Sequence, residues 1–135
     1  NFQGSVCAEV AEVSVNKRGK LAIHNINCVI DVGKYVNPDT LIAQTEGCVI
    51  WGVSIATKEQ ITFENGRVQQ SNYDDYKIAR MKDSPIINVR VIESELKPSG
   101  GDAGLPPTPP AITNAIYAAT GKRIRKLPIG KQKLV

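Results

Sequence analysis

The residue with most chemistry to offer is Asp102, in the run "KPSGGDAGLPPTPP". Glycines stand at positions 100, 101 and 104, and prolines at 106, 107, 109 and 110. Gly and Pro dominance makes the stretch a loop, and a carboxylate held there can accept a proton. The prolines stiffen the departing chain, so the carboxylate is held rather than left on a floppy segment. Taken alone, such a turn reads as one carrying a solvated aspartate with no chemistry. Other reactive groups offer less. Cys7, Cys28 and Cys48 are odd in number, lie in apolar contexts, and show neither CxxC nor Cys/His spacing. They read as buried thiols acting as small hydrophobes, not as a disulfide framework or zinc site, and no metal ligand is assigned. His24, the single histidine, reads as a hydrogen-bonded core or sheet-edge residue. Asp74 and Asp75 are adjacent and diverge in any regular element, which suits capping or a loop rather than an acid–base pair.

Length and composition bound what can position these groups. A chain of 135 residues suits one domain, and 41% hydrophobic with 22% charged residues describes a globular protein. The net charge of +4 is uneven, because the last 14 positions hold six of the 17 basic residues. Without them 11 basic residues face 13 acidic ones, a net of −2. The basic character therefore belongs to a tail, which could touch nucleic acid or a membrane headgroup and reads at least as well as a solvated end or a strap across a partner subunit. No aromatic-interleaved basic patch supports nucleic-acid binding. No run of about 18 apolar residues suggests a membrane span. The expectation is a soluble protein of the cytoplasm or periplasm. Beginning at "NFQGSVCAEV", the chain reads as a processed product or an excised piece.

The elements follow from pattern. "VCAEVAEVSV" and "KLAIHNINCVIDV", joined by "NKRG", predict a β-hairpin. In its second strand Leu21, Ile23, Asn25 and Asn27 alternate with Ala22, His24, Ile26 and Cys28, so the buried face stays open. A helix is predicted over residues 38–56. Leu41, Thr45, Cys48, Gly52 and Ile55 recur at helical spacing, as do Ile42, Val49 and Ala56. Asn37 or Asp39 can cap it and Pro38 suits its first turn. Gly47 and Gly52 each cost about 1 kcal/mol in a helix interior, so each needs a close neighbour, a ligand or tight packing. Asn65-Gly66 predicts a type I′ turn in a second hairpin, and 86–92 reads as a strand. A second helix is predicted over 109–120, capped by Thr108, with Ile112, Ala115, Ile116 and Ala119 buried and Gly121 as its stop. Its alanine content suggests close packing over much of its surface. "KRIRKLPI" reads as an extended exit strand. The sum is a single α+β domain over 1–135, a mostly antiparallel sheet from hairpins with two packed helices.

Several words of the sequence then acquire a common source. "DVGKYVNPDTLIAQTEGCVIWGVS", "ITFENGRVQQSNYDDY" and "GDAGLPPTPPAITNAIYAATGKRIRKLPI" resemble, in order and spacing, the C-terminal part of the molybdopterin-binding large subunit of the xanthine oxidase family. The branch most resembled is that of isoquinoline oxidoreductases and the aldehyde dehydrogenase beta chains. The resemblance implies a C-terminal fragment or processed subunit of a molybdenum hydroxylase, which oxidises an aldehyde or N-heterocycle with water as oxygen source. It implies molybdopterin with molybdenum in the full assembly and none in the isolated chain. Implied partners are the remaining large-subunit regions, an iron–sulfur or other electron-transfer subunit, and a small-molecule aldehyde or N-heterocycle. No nucleic acid is implied, and the isolated chain is expected to dimerise.

Carried onto this sequence, the family's proton-accepting glutamate in its "GEPG" loop falls on Asp102, and the proline after it falls on Ala103. Gln44 takes the place of a cofactor-bonding glutamine, and Gly47 that of a cofactor-facing position. Gly100, Gly101 and Gly104 would let backbone approach the metal centre. Aspartate is shorter by one methylene, drawing the carboxylate back by about 1.5 Å. A misplacement of about 1 Å can cost about 10²-fold in rate. Two functions remain open: a contribution to catalysis by a larger enzyme, or a non-catalytic structural or assembly module derived from that domain.

Overall fold

A computed structural model describes residues 4–95, 97–130 and 132–135. Two long strands, β1 (Val6–Val15) and β2 (Leu21–Asp31), form an antiparallel hairpin. Its turn is closed by Asn16, whose side-chain oxygen accepts from the backbone N–H groups of Arg18 and Lys20, both at 2.9 Å. Gly19 supplies the positive φ of +76° that the turn requires. Halfway along, Glu12 pairs with Asn25 but Val13 pairs with Ile23, so His24 is the extra residue of a β-bulge. The bulge resolves the ambiguous alternation. It returns Leu21 and Ile23 to the side of Ile26, Cys28 and Ile30, and all five pack in the core. His24 itself is exposed, with Nε2 2.7 Å from Ser14 Oγ. The expectation that it shares the face of Ile26 and Cys28 is corrected by this phase shift.

The predicted helix is α1 (Pro38–Thr57). Asn37 caps it, accepting from Thr40 N–H at 3.1 Å. Its buried face, Leu41, Thr45, Val49, Gly52, Val53 and Ala56, draws on both apolar stripes of the sequence. After α1 come the two-residue strands β3 (Phe63–Glu64) and β4 (Arg67–Val68), shorter than the hairpin pattern suggested. Asn65 and Gly66 at φ +50° and +76° give the I′-type turn between them. Strand β5 (Ile86–Ile92) lies parallel to β2, completing a sheet ordered β1-β2-β5. Both hairpin pairings are antiparallel, so the architecture is α+β with a mostly antiparallel sheet.

The second helix, α2 (Thr108–Thr120), carries Pro109 and Pro110 in its first turn and ends at Gly121, φ +73°. Thr108 is its first residue rather than its cap. Only Thr108, Ile112 and Ile116 are buried, while Tyr117, Ala118 and Ala119 are exposed. The close packing expected from its alanines is therefore confined to one stripe. The exit segment is not a strand. Ile129 N–H and Gly130 N–H donate to the last-turn carbonyls of α1, at Ala56 (2.7 Å) and Thr57 (3.2 Å). Ile124, Ile129 and Leu134 enter the core, whereas Lys122, Arg123, Arg125 and Lys126 stay exposed. Burying each aliphatic side chain is worth about 1.5–3 kcal/mol, enough to fold the tail back as a strap on its own domain. Lys131 lies outside the described residues.

Candidate cofactor-wall site

The glycine loop is fastened by hydroxyl groups at several points. Ser99 N–H donates to Val32 O at 3.0 Å, and Ser5 Oγ donates to Gly100 O at 2.8 Å. Gly101–Gly104 forms a 3₁₀ turn in which Leu105 N–H donates to Asp102 O at 3.1 Å. Thr108 Oγ is 2.9 Å from Gly104 O, tying the turn to the start of α2. Gly101, Ala103 and Gly104 are buried, which leaves Asp102 as the half-exposed side chain of the turn. Ala103 is thus a packed core residue.

The glycines are required for close approach, not for unusual dihedrals. A Cβ on Gly101 would stand 2.6 Å from Leu41 Cδ1 and 2.9 Å from Gln44 Oε1. One on Gly104 would stand 3.0 Å from Thr45 Cγ2, and one on Gly100 would meet Asp102 Oδ1 at 2.6 Å. The loop therefore lies directly on α1, with Gln44 against Gly101 and the Asp102 carboxylate against Gly100. Gln44 is exposed. Among the described residues neither the Gln44 amide nor the Asp102 carboxylate has a hydrogen-bond partner.

The helix glycines separate into two kinds. Gly52 is packing: its Cβ would fall 2.4 Å from Thr108 Cβ, where α1 meets α2. A Cβ on Gly47 would meet nothing within 4 Å, so nothing among the described residues requires this glycine. It borders an open depression of about 420 Å³ with Ile50, Trp51, Glu59 and Tyr76. A larger one of about 620 Å³ lies between Leu21, Val53, Lys58, Asp83 and Leu134, and Asp102 and Gln44 line neither. Asp75 accepts from Ser71 N–H (2.8 Å) and Asn72 N–H (3.1 Å), a loop-closing role that holds its carboxyl below the ordinary value.

Sequence spacing concealed a second cluster. Hairpin register places Glu9 opposite Cys28, and Cys7 is two residues before Glu9 on the same face. Cys7 Sγ is 3.4 Å from Cys28 Sγ and 4.0 Å from Glu9 Oε1. The three ligand-type atoms all lie within 4.8 Å of one another. Thr108 Oγ, 2.7 Å from Glu9 Oε2, links this cluster to the glycine loop. Burial pushes the Glu9 carboxyl up, against the lowering effect of Thr108. The Cys7 hydrogen bond and burial push the Cys28 thiol up, and burial with the charges of Asp102, Cys7 and Glu9 does the same for Cys48. The alternation of Cys7 and Glu9 was visible in sequence; their meeting with Cys28 needed the strand register.

Residues 1–85 match the family model of the molybdopterin cofactor-binding domain, and the chain belongs to that family. It aligns with large subunits of the xanthine oxidase family. It is 38% identical over 130 residues to the beta chain of isoquinoline 1-oxidoreductase from Brevundimonas diminuta, covering 95% of this chain and 17% of that protein. It is 30% identical to the large subunit of nicotine 6-hydroxylase from Paenarthrobacter nicotinovorans, covering 87% and 16% respectively. The crystal structure of the aldehyde oxidoreductase from Desulfovibrio desulfuricans superposes with a TM-score of 0.78 at 29% identity, covering 96% of this chain and 15% of that one. The chain thus spans less than a fifth of the length of these relatives. The family match contains Gln44 and Gly47 and stops before the Asp102 loop. No helix among the described residues is long and apolar enough to cross a membrane.

Proposed function

We propose that this chain is a single domain serving as a C-terminal fragment or processed subunit of a molybdenum hydroxylase, and that it forms one wall of the molybdopterin site. The substrate class is an aldehyde or N-heterocycle, with water as oxygen source. The observation that carries the reading is the seating of the glycine loop on α1 at Leu41 and Gln44, with the Gln44 and Asp102 polar heads unpaired among the described residues. The residues fit the group. The Gln44 carboxamide both donates and accepts, as recognition of a polar cofactor edge requires. Gly47, one turn on, leaves the helix surface bare of side chain. Gly100, Gly101 and Gly104 bring backbone into the same region.

When bound, the cofactor would supply two-electron acceptance from the substrate carbon. This chain's part is the proton. Asp102 takes it from the attacking oxygen, directly or through one water at about 2.6–3.2 Å. Its shorter reach favours the water-bridged route. Fastening of the loop by Ser5, Ser99 and Thr108 holds the carboxylate against α1. The rest of the pocket, and an iron–sulfur or other electron-transfer subunit, come from other polypeptide regions. Presented alone, the chain holds no cofactor and leaves Ile50, Trp51 and Ile78 exposed around one depression, which favours dimerisation.

The test is Asp102→Asn in the complete assembly, with molybdenum content and kcat/KM measured together. Retained molybdenum with turnover lowered about 10²-fold or more is expected, and Asp102→Glu should match or exceed wild type. Full turnover at full metal occupancy would end the catalytic role. Loss of metal would assign Asp102 to assembly, the reading as a non-catalytic module.

A further inference from the structure

The geometry points to a second, separate metal site: Cys7, Glu9 and Cys28 bind a thiophilic divalent cation of the zinc type. This inference stands apart from the molybdopterin reading, because its ligands all come from the β1–β2 hairpin. Zinc bonds of about 2.3 Å to sulfur and 2.0–2.2 Å to carboxylate oxygen give tetrahedral ligand–ligand edges of about 3.6–3.8 Å. The two sulfurs stand 3.4 Å apart and Cys7 Sγ stands 4.0 Å from Glu9 Oε1. All three ligand atoms lie within 4.8 Å of one another, and these two edges already bracket the tetrahedral ones.

Charge makes the same case. Glu9 is a half-buried carboxylate on the core face of β1, facing two thiols. The ion pairs among the described residues, Lys34–Glu95 and Lys58–Asp83, do not involve it. A cation between Glu9 and the thiols would neutralise the carboxylate and favour thiolates, the forms that bind metal. The carboxylate is also oriented for this. Oε1 faces Cys7, while Oε2 is 2.7 Å from the Thr108 hydroxyl. That hydroxyl has one proton and two acceptors within reach, Glu9 Oε2 and Gly104 O at 2.9 Å, so it can serve only one at a time. Thr108 is thus a positioning residue behind the ligand, an outer partner of the kind that tunes metal affinity. Three protein ligands leave one tetrahedral position for water or an added ligand. Cys48 lies outside the ligand triangle and provides the control.

The experiment uses the protein that carries this chain, reduced with a phosphine and stripped of loosely held metal. Cd²⁺ is titrated while thiolate-to-cadmium charge-transfer absorbance is followed, and Zn²⁺ affinity is measured against a chromophoric chelator. The expected wild-type result is a saturating band of two-thiolate intensity. Cys28→Ser should halve that band and weaken Zn²⁺ by about 100-fold or more, beyond the loss typical of an outer partner. Glu9→Gln should keep the band and lower Zn²⁺ affinity, and Thr108→Val should keep the band with a loss of about 10-fold. Cys48→Ser should match wild type. Absence of the band in reduced wild type, or a band unchanged in Cys28→Ser, would overturn the assignment. So would a band lost in Cys48→Ser. Circular dichroism checks each fold; should Cys28→Ser not fold, Cys7→Ser, at a half-exposed position, makes the same prediction.

Discussion

Replacing Gly47 and Gly52 separately with alanine should move stability in opposite directions, although both lie inside α1. Alanine gains about 0.8–1 kcal/mol over glycine in a helix interior. At Gly47 the added Cβ meets nothing within 4 Å, so the gain is kept whole. At Gly52 it would stand 2.4, 2.8 and 2.9 Å from the Cβ, Cγ2 and Oγ1 of Thr108. Those atoms belong to a short branched side chain at the first residue of α2, so the helices must separate. Overpacking of this kind costs about 1–3 kcal/mol, and contacts this short belong to the upper part of that range. The net change is a loss of about 1–2 kcal/mol. The two variants should therefore differ by about 2–3 kcal/mol, or about 6–15 °C in Tm for a chain of this size. Thermal and urea unfolding of both variants beside wild type measures this. A Gly47→Ala chain less stable than wild type, or a Gly52→Ala chain as stable as Gly47→Ala, would refute the reasoning. In the complete assembly the proposed cofactor placement adds a second outcome: Gly47→Ala should lower molybdenum content despite its firmer helix. Full occupancy there would remove Gly47 from the cofactor wall.

Other outcomes follow from single contacts. Asn37→Ala removes the side-chain acceptor of Thr40 N–H and should cost about 0.5–2 kcal/mol in urea unfolding, with no change in m-value. Asp83 is held below its ordinary value by its hydrogen bond to Lys58 and by Arg80 N–H. Its contribution is complete above the unfolded pKa of about 3.8 and is lost as pH falls through the lower folded value. Asp83→Asn should consequently flatten the acid limb of stability below pH 3.8; an unchanged limb would show that other carboxylates set it.

What could be read from the sequence is what short-range physics decides. Asn37 and Pro38 begin α1, Asn65-Gly66 forces its I′ turn, Gly121 ends α2, and the apolar run at 86–92 becomes β5 as written. Each depends on dihedral preference or on hydrogen bonds between near neighbours, which a local window contains. The resemblance that pointed to Gln44 and the Asp102 loop also lay in words of the sequence, and the fold brings those two segments together across 57 intervening positions.

Tertiary structure decided whatever depends on partners far apart in the chain. The bulge at His24 shifts the phase of β2 so that both halves of an ambiguous alternation reach the core, a result of pairing with β1. The tail of basic residues reads as a strand in isolation. It becomes a strap because Ile124, Ile129 and Leu134 gain burial, and because α1 leaves carbonyls that Ile129 and Gly130 can satisfy. Gly47 and Gly52 look alike in sequence and differ only in what stands opposite: open space for one, Thr108 for the other. Cys7, Glu9 and Cys28 fit no ligand spacing along the chain, since strand register, not sequence separation, sets the distance between their side chains.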